Sequence, residues 1–525
     1  MSDNFSRAQI VRKPAVRSTG GIVAAQHRRA AEVGARVLAR GGNAVDAAIA
    51  TSFALGVLEP WMSGPGGGGA MVVRMAGEDR VSVVDFAMRA PAALDPADYP
   101  LDGGLSTGLF PWPTVVEDRN ARGATAIAVP GLVDGMGVAR DAFGSMDWAE
   151  LLAPAIGLAR EGLLVDWYAA LMIASATREL DRDPVAREVF LRDGYPAMSA
   201  WTATVEERCD LAVMGETLAR LARRGPRDFY EGEIGREIVA DARAAGGCLS
   251  RDDLAAYRAR IVEPLAIAHA GGTVHATPEL TAGPTLHRVL GLLGEDGPRG
   301  AAPDAATYVA YAAALRVAYE ERLATMGDAE GARGLRGCTT HFAVVDRDGN
   351  MAAVTQTLLS IFGSKTMLPA TGLLMNNGLF WFDPEPGRPN SLGPGKRCLQ
   401  NICPVLAERG DGSWFALGAS GGRKILPAVA QLTSFMTDFA MDLETAFHAP
   451  RIDASGGDTV IADTTLPDDV HVALAARFPH LRARRTVYPF AFACPSGVER
   501  DSDGRNAGCT EIMSPWGDAV AEDGG

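Results

Sequence analysis

The residues predict an α+β protein in which a largely helical part comes first and a strand-rich part follows a glycine-rich break. Three observations carry this. Apolar residues recur at helical spacing from Gln26 to Leu58, and again through about Gly123 to Asp328. A polar stretch, Gly327–Gly337 (GDAEGARGLRG), comes next. Directly after it the pattern turns to strands, Thr340–Val345 and Met351–Leu358 around the turn Asp346-Arg347-Asp348-Gly349-Asn350, and strand-like runs continue to Ala419.

Taken in order, a helix over Gln26–Ala39 stops at Gly41-Gly42. Asn43 is placed to cap a second, almost wholly apolar helix to about Leu58, with Asp46 in its first turn. The run Gly64-Pro65-Gly66-Gly67-Gly68-Gly69 leads into a hairpin of buried strands, Ala70–Val73 and Val81–Phe86. Because these glycines precede a strand, and no GxxxxGK[ST] occurs, they read as a tight turn under another backbone and not as a phosphate loop. Trp148–Glu161, Gly215–Arg223, Ile234–Ala245, Asp252–Tyr257 and Ala305–Thr325 are the clearer later helices, with Ser250-Arg251-Asp252-Asp253 as a helix start. Ala428–Phe439 and Asp442–Phe447 resume helix near the end.

Composition narrows the class. With 47% apolar and 22% charged residues in 525, disorder and collagen-like repeats are excluded. A net charge of −14 without a basic block disfavours nucleic acid and anionic lipid as partners. The first 21 residues hold Arg7, Arg12, Lys13 and Arg17 but no apolar core of a signal peptide. The expectation is therefore no secretory signal, no membrane anchor and a cytoplasmic location. Seven cysteines, odd in number and without a CxxC pair, argue against a disulfide framework or a zinc ribbon. The eight histidines are scattered and no HExxH occurs, so no metal site is expected.

Chemistry is expected at Gly337-Cys338-Thr339-Thr340-His341, where a hydroxyl stands at the junction of linker and strand. A nucleophilic threonine needs a base, and its own α-amine, freed by cutting the chain before it, can serve. With a reference pKa of about 7.7–8.0, that amine suits neutral pH. Thr357 is the candidate for orienting it, and Gly421-Gly422 for supplying oxyanion donors. A competing pattern is GxSxG around Ser420, with His448, His471 or His480 as base.

These segments together resemble the γ-glutamyltranspeptidase family of N-terminal nucleophile hydrolases from about Gly20 to Ala454. The resembling stretches include GGNAVDAAIATSFALGVLEP, SGPGGGGAMVV, AVPGLVDG, AGGCLSRDDLAAY, TTHFAVVDRDGN, PGKR and GASGGRK, all in the family's order. The resemblance implies a four-layer αββα sandwich built by a precursor that cleaves itself between Cys338 and Thr339. Residues 1–338 would form the large subunit and 339–525 the small one. It further implies Thr339 as nucleophile, Thr357 as partner of its amine, Gly421 and Gly422 as the oxyanion hole, and Thr340 and His341 as supporting residues. The scissile segment would be a bent, accessible turn.

The head-group clamp departs from the family. Asp85-Phe86 is followed by Ala87 where the family's arginine stands. Arg89, two positions on, would lie about 6–7 Å along a strand, too far for the same bidentate pairing. Leu359 replaces an asparagine, Asn376-Asn377-Gly378-Leu379-Phe380-Trp381 replaces the amino-group segment, and Gln400-Asn401 replace a serine pair. Arg89, Trp381, Gln400, Asn401 and Arg423 remain to line a substrate site, with Arg397 and Lys424 also available to a carboxylate.

The reading is thus a self-processed threonine amidohydrolase without cofactor. It would act on a small-molecule amide with a small acyl or carboxylate-bearing group, as oxamate amidohydrolases or cephalosporin acylase-like proteins do. Its partners are its own two subunits, with further oligomerisation left open. A γ-glutamyl hydrolase or transpeptidase acting on glutathione is the alternative, and an uncleaved binding protein the remote one.

Overall fold

A computed structural model describes residues 12–78, 80–105, 112–294, 300–328, 338–455 and 457–523. Of the glycine-rich stretch between the helical and strand-rich parts, only Gly327 and Asp328 fall among them; the rest of that expected linker lies outside the described residues.

Two seven-stranded antiparallel sheets form the centre. One runs Arg260–Val262, Val81–Phe86, Gly68–Arg74, Met351–Leu359, Cys338–Val345, Ile22–Ala25, Asp518–Ala521 from edge to edge. The other runs Val16–Ser18, Asn506–Thr510, Cys494–Arg500, Trp414–Ser420, Val405–Glu408, Gly272–Ala276, Leu265–His269. The space between them is filled mostly by small and β-branched side chains, among them Ala24, Ala70, Val72, Ala343, Val345, Ala353, Ala416 and Val498, with Leu406. Each outer face is covered by helices. Arg28–Ala39, Ala44–Leu58, Leu132–Phe143 and Trp148–Glu161 share a core with the first sheet. Gly283–Leu293, Ala305–Thr325 and Ile425–Thr437 share one with the second. This is the four-layer αββα order expected from the resemblance.

The helix Ala44–Leu58 shows why the sequence folds this way. All its residues are buried, so an amphipathic stripe is neither needed nor present. Its start is fixed by a capping box between Asn43 and Asp46, and Asp46 also accepts from the N–H groups of Ser145 and Met146. Ser250 likewise caps Arg251–Ala256 through Asp253. The glycine run does pass beneath another backbone: a Cβ on Gly67 or Gly69 would collide with the carbonyl of Thr357 or Thr355.

Two expectations change. The helical reading of 123–328 passed over the strands of 260–276, which supply an edge to each sheet. The strand-like runs between 360 and 404 are irregular chain with one short 3-10 turn, Gly378–Trp381, and only Val405–Glu408 and Trp414–Ser420 pair in the sheet. Apolar residues there are buried by the helical layers and not by a ladder, so alternation misleads. No helix among the described residues is long and apolar enough to cross a membrane.

Candidate active site

Strand alternation sorts the residues around Thr339. Ala343 and Val345 face the second sheet whereas Phe342 and Val344 face the helices. The same period puts His341 toward the second sheet and Thr340 toward the helices. On the neighbouring strand Met351 and Ala353 face the second sheet, which puts Thr355 and Thr357 on that side and Gln356 on the other. The ladder pairs Thr340 with Gln356 but Cys338 with Leu359, so a bulge leaves Thr339 opposite Thr357 and Leu358. A bulge re-aims the side chain it carries.

Thr339 and Thr357 are both fully buried. The Thr339 hydroxyl has no hydrogen-bond partner among the described residues, a cost that buried polar groups rarely bear without a use. Thr357 Oγ1 accepts from the N–H of Leu359 at 2.7 Å. Leu359 itself adopts φ 86°, a left-handed conformation unusual for a leucine. Thr339 continues the strand that begins at Cys338 and is buried opposite the bulge of Met351–Leu359, while the glycines before it, where a bent and accessible turn is expected, lie outside the described residues.

Gly421 and Gly422 follow the strand Trp414–Ser420 at φ 132° and 64°. Gly422 opens a 3-10 turn to Lys424, and the helix Ile425–Thr437 follows at once. The N–H of a first helical residue has no acceptor inside the helix, and it points outward as an anion donor. This turn packs against the strand Cys338–Val345. At the competing GxSxG pattern, Ser420 Oγ accepts from Gln26 Nε2 at 2.7 Å and is bonded to no histidine among the described residues. His448 is bonded to Lys13 N and Glu444 O, and His471 pairs with His480, so none of these three serves Ser420.

The supporting residues are engaged. His341 Nδ1 lies 2.8 Å from Thr355 Oγ1, and burial holds this imidazole down to about 3, hence neutral. Thr340 Oγ1 lies 3.1 Å from Gln26 Oε1 and 3.3 Å from Glu59 Oε2. Sequence reasoning missed Gln26 and Glu59. A signal existed for the second: a carboxylate directly after an almost wholly apolar helix stands where the helix dipole opposes negative charge.

On the substrate side the structure divides the expected residues. Arg89 is exposed and its guanidinium has no partner among the described residues, while its backbone bridges Val129 and Arg397. Arg397 is ion-paired with Glu279, and Lys424 donates to the carbonyls of Phe490 and Ala491 at 2.6 and 2.9 Å. Arg423 is partly buried, which lowers its pKa, and its carbonyl accepts from Tyr319. Asn376 and Asn377 are spent on internal bonds to Gly66, Ala128, Ala121 and Ser360.

Trp381, Gln400 and Asn401 are buried, and Trp381 Nε1, both amide atoms of Gln400 and Asn401 Nδ2 lack partners among the described residues. The buried Arg322, also missed, donates to Gln400 O at 3.0 Å and Asn401 Oδ1 at 3.2 Å, which leaves Asn401 Nδ2 as a free donor. Arg322 also lines a cleft of about 630 Å³ with Glu279, Arg288 and Glu321.

The gamma-glutamyltranspeptidase family model matches residues 30–335 and 329–514. An acylase ACY 1 proenzyme of Pseudomonas sp. (strain SE83) is 33% identical over 502 residues, 89% of this chain and 88% of the relative. A glutathione hydrolase proenzyme of Pseudomonas sp. (strain A14) is 29% identical over 487 residues, covering 83% and 82%. The crystal structure of cephalosporin acylase from Bacillus halodurans superposes with a TM-score of 0.86 at 26% identity, over 99% of each chain. The chain belongs to the gamma-glutamyltranspeptidase family, as an amide hydrolase of the N-terminal nucleophile fold on its acylase-like side.

Proposed function

We propose that the protein is cut between Cys338 and Thr339 and that the new N-terminal Thr339 hydrolyses the amide of a small, non-glutamyl acyl group. The observation that carries this is the buried, unpartnered Thr339 hydroxyl, opposite Thr357 in a bulge and against the Gly421–Gly422 turn. In maturation Thr339 Oγ attacks the carbonyl of Cys338, the peptide nitrogen leaves as the Thr339 amine, and water opens the resulting ester. Residues 1–338 and 339–525 then form the two subunits. Both sheets draw strands from each side of the cut, which supports a pair that stays together.

In turnover the freed amine takes the hydroxyl proton while Oγ attacks the substrate carbonyl. The Gly421 and Gly422 amides hold the oxyanion, and the amine returns its proton to the leaving nitrogen. Water then releases the acyl group as an acid. Thr357 orients the amine. No step calls on a cofactor.

The acyl site is argued from what the side chains still lack. The unpaired amide atoms of Gln400 and Asn401 and the indole N–H of Trp381 offer neutral hydrogen bonds. Arg89 offers an exposed cation without a partner among the described residues. With three N–H donors against the single acceptor Gln400 Oε1, that set suits a polar acyl or carboxylate-bearing amide better than an α-amino acid head group, whose ammonium needs several acceptors. The acylase name of a relative agrees with this choice.

Intact mass of the purified protein beside Thr339→Ala tests the reading. Two chains, the second starting at Thr339, with the variant uncut, are expected, followed by turnover of acyl or oxamate-type amides above γ-glutamyl anilide. A wild-type chain that remains whole after prolonged incubation overturns it.

A further inference from the structure

The proposed reaction leaves one buried carboxyl group unused. Glu59 ends the helix Ala44–Leu58, is 3% exposed, and has no cation bonded to it among the described residues. It stands on the helix-facing side of the sheet that carries Thr339 and Thr357. Its Oε2 lies 3.3 Å from Thr340 Oγ1, next to Thr339. The backbone just after it holds the other strand: Met62 O accepts from Leu358 N at 3.0 Å and Trp61 O from Phe362 N at 2.9 Å.

Proton counting constrains how this group works. Gln26 Nε2 donates to Ser420 Oγ and to Cys494 O, both at 2.7 Å, which leaves Gln26 Oε1 as the acceptor facing Thr340 at 3.1 Å. Thr340 has a single hydroxyl proton and two acceptors around it. If Glu59 carries a proton, it donates to Thr340, Thr340 donates to Gln26, and every member of the chain is paired. If Glu59 is ionised, Thr340 must serve either the carboxylate or Gln26, and the other is left buried without a donor. That is the expensive case. The chain ends at Ser420, the residue before Gly421.

We infer that Glu59 is a positioning residue that works as a neutral acid. Its proton sets the direction of the Thr340–Gln26–Ser420 chain and so the placement of Thr339 against the Gly421–Gly422 turn, and loss of that proton lowers turnover. The inference rests on Thr339 being the nucleophile.

The surroundings favour the neutral form. Burial raises the Glu59 carboxyl to about 7, against a smaller opposing pull from the Thr340 hydrogen bond. The titratable groups that face it are Tyr168 and Cys494, and burial pushes both upward, the thiol to about 12, so neither brings a charge. Activity should therefore fall as pH rises through the Glu59 range, opposite in sign to the gain from deprotonating the Thr339 amine.

The test is the pH profile of kcat for wild type, Glu59→Gln and Glu59→Ala. Glu59→Gln donates to Thr340 from its amide and cannot ionise, so it should keep kcat within about threefold and lose the alkaline limb. Glu59→Ala should lose about tenfold or more in kcat with KM little changed. An alkaline limb that persists unchanged in Glu59→Gln overturns the inference. A second measurement needs no turnover: infrared difference spectra of the uncut Thr339→Ala chain should show a protonated-carboxyl band that vanishes on raising pH and is missing from Thr339→Ala/Glu59→Gln. Absence of that band below neutral pH overturns the inference even if Thr339 proves to be the nucleophile. Failure of wild type to cut would sink the nucleophile while leaving the band in place.

Discussion

Gly418 leaves the space that the ring of His341 occupies: a Cβ on Gly418 would stand 2.5 Å from the ring's Cε1 and Nδ1. The ring cannot swing aside freely, because Nδ1 is held by Thr355 at 2.8 Å between two packed sheets. Gly418→Ala should therefore cost about 1–3 kcal/mol by overpacking. The Tm of the Thr339→Ala chain reads this without interference from cutting. In a His341→Ala background the same substitution should cost clearly less. Additive losses would show that the ring is not what excludes the Cβ.

Thr357 is expected to orient the Thr339 amine while its oxygen also holds the N–H of Leu359. Thr357→Val keeps the shape and removes both bonds. A hydrogen bond to a charged group is worth about 1.5–3 kcal/mol, so kcat should fall about 10- to 100-fold. Thr357→Ser should recover most of it. A Thr357→Val enzyme with unchanged kcat would remove Thr357 from the machinery.

The order of helices and strands, and the pairing of Thr339 with Thr357 across a hairpin, were legible because both rest on local patterns: caps at Asn43 and Ser250, a turn at Asp346–Asn350, and strand period 2. What escaped depends on the tertiary fold. Arg260–Val262 and Leu265–His269 are short edge strands, and in the second the exposed positions are Ala266 and Ala268, so burial alternates while polarity in the sequence does not. Gln26 and Glu59 sit hundreds of residues from Thr340 and gain meaning only when the sheet brings them to it. Arg322 looks like any helical arginine until its burial against Gln400 and Asn401 is seen.

Arg89 decides between carboxylate-bearing and uncharged acyl groups. Its exposed guanidinium, just past the strand Val81–Phe86, has no partner among the described residues, whereas Arg397 is paired. Arg89→Ala should raise KM for carboxylate-bearing amides about tenfold or more and leave neutral acyl amides within about twofold. Specific collapse of γ-glutamyl turnover would instead favour the glutathione-type reading.

Acid should weaken the fold through two histidines that packing keeps from water, His341 fully buried and His27 half-buried. His341 and His27 are each held down to about 3 by burial, far below the 6.5 of an exposed histidine. The unfolded chain takes up these protons at about 6.5 and the native chain does not. Their contribution is thus full above that pH and is lost as pH falls from there toward about 3, by about 1.4 kcal/mol per unit and group. Urea unfolding of Thr339→Ala should show a steeper loss between neutral pH and about pH 5 than the same chain with His341→Gln. Equal slopes would mean that the His341 ring is protonated within the fold.

Leu359 carries a conflict between backbone and side chain. Its φ of 86° is a conformation that costs an ordinary L-residue about 1–2 kcal/mol, and that glycine adopts freely. Its side chain is nevertheless fully buried in the same core as Trp381 and Phe382. Removing the side chain must therefore create a cavity, while removing Cβ also relieves the backbone. Leu359→Ala should pay the whole cavity cost, about 2–5 kcal/mol, and keep the strain. Leu359→Gly loses one more carbon yet should be more stable than Leu359→Ala by about 1 kcal/mol, the reverse of the usual order in a strand. Thermal melts of the two variants in the Thr339→Ala chain give the sign directly. If Ala proves the more stable, the left-handed turn is not strained, and the geometry that aims the Leu359 N–H at Thr357 Oγ1 comes at no backbone cost.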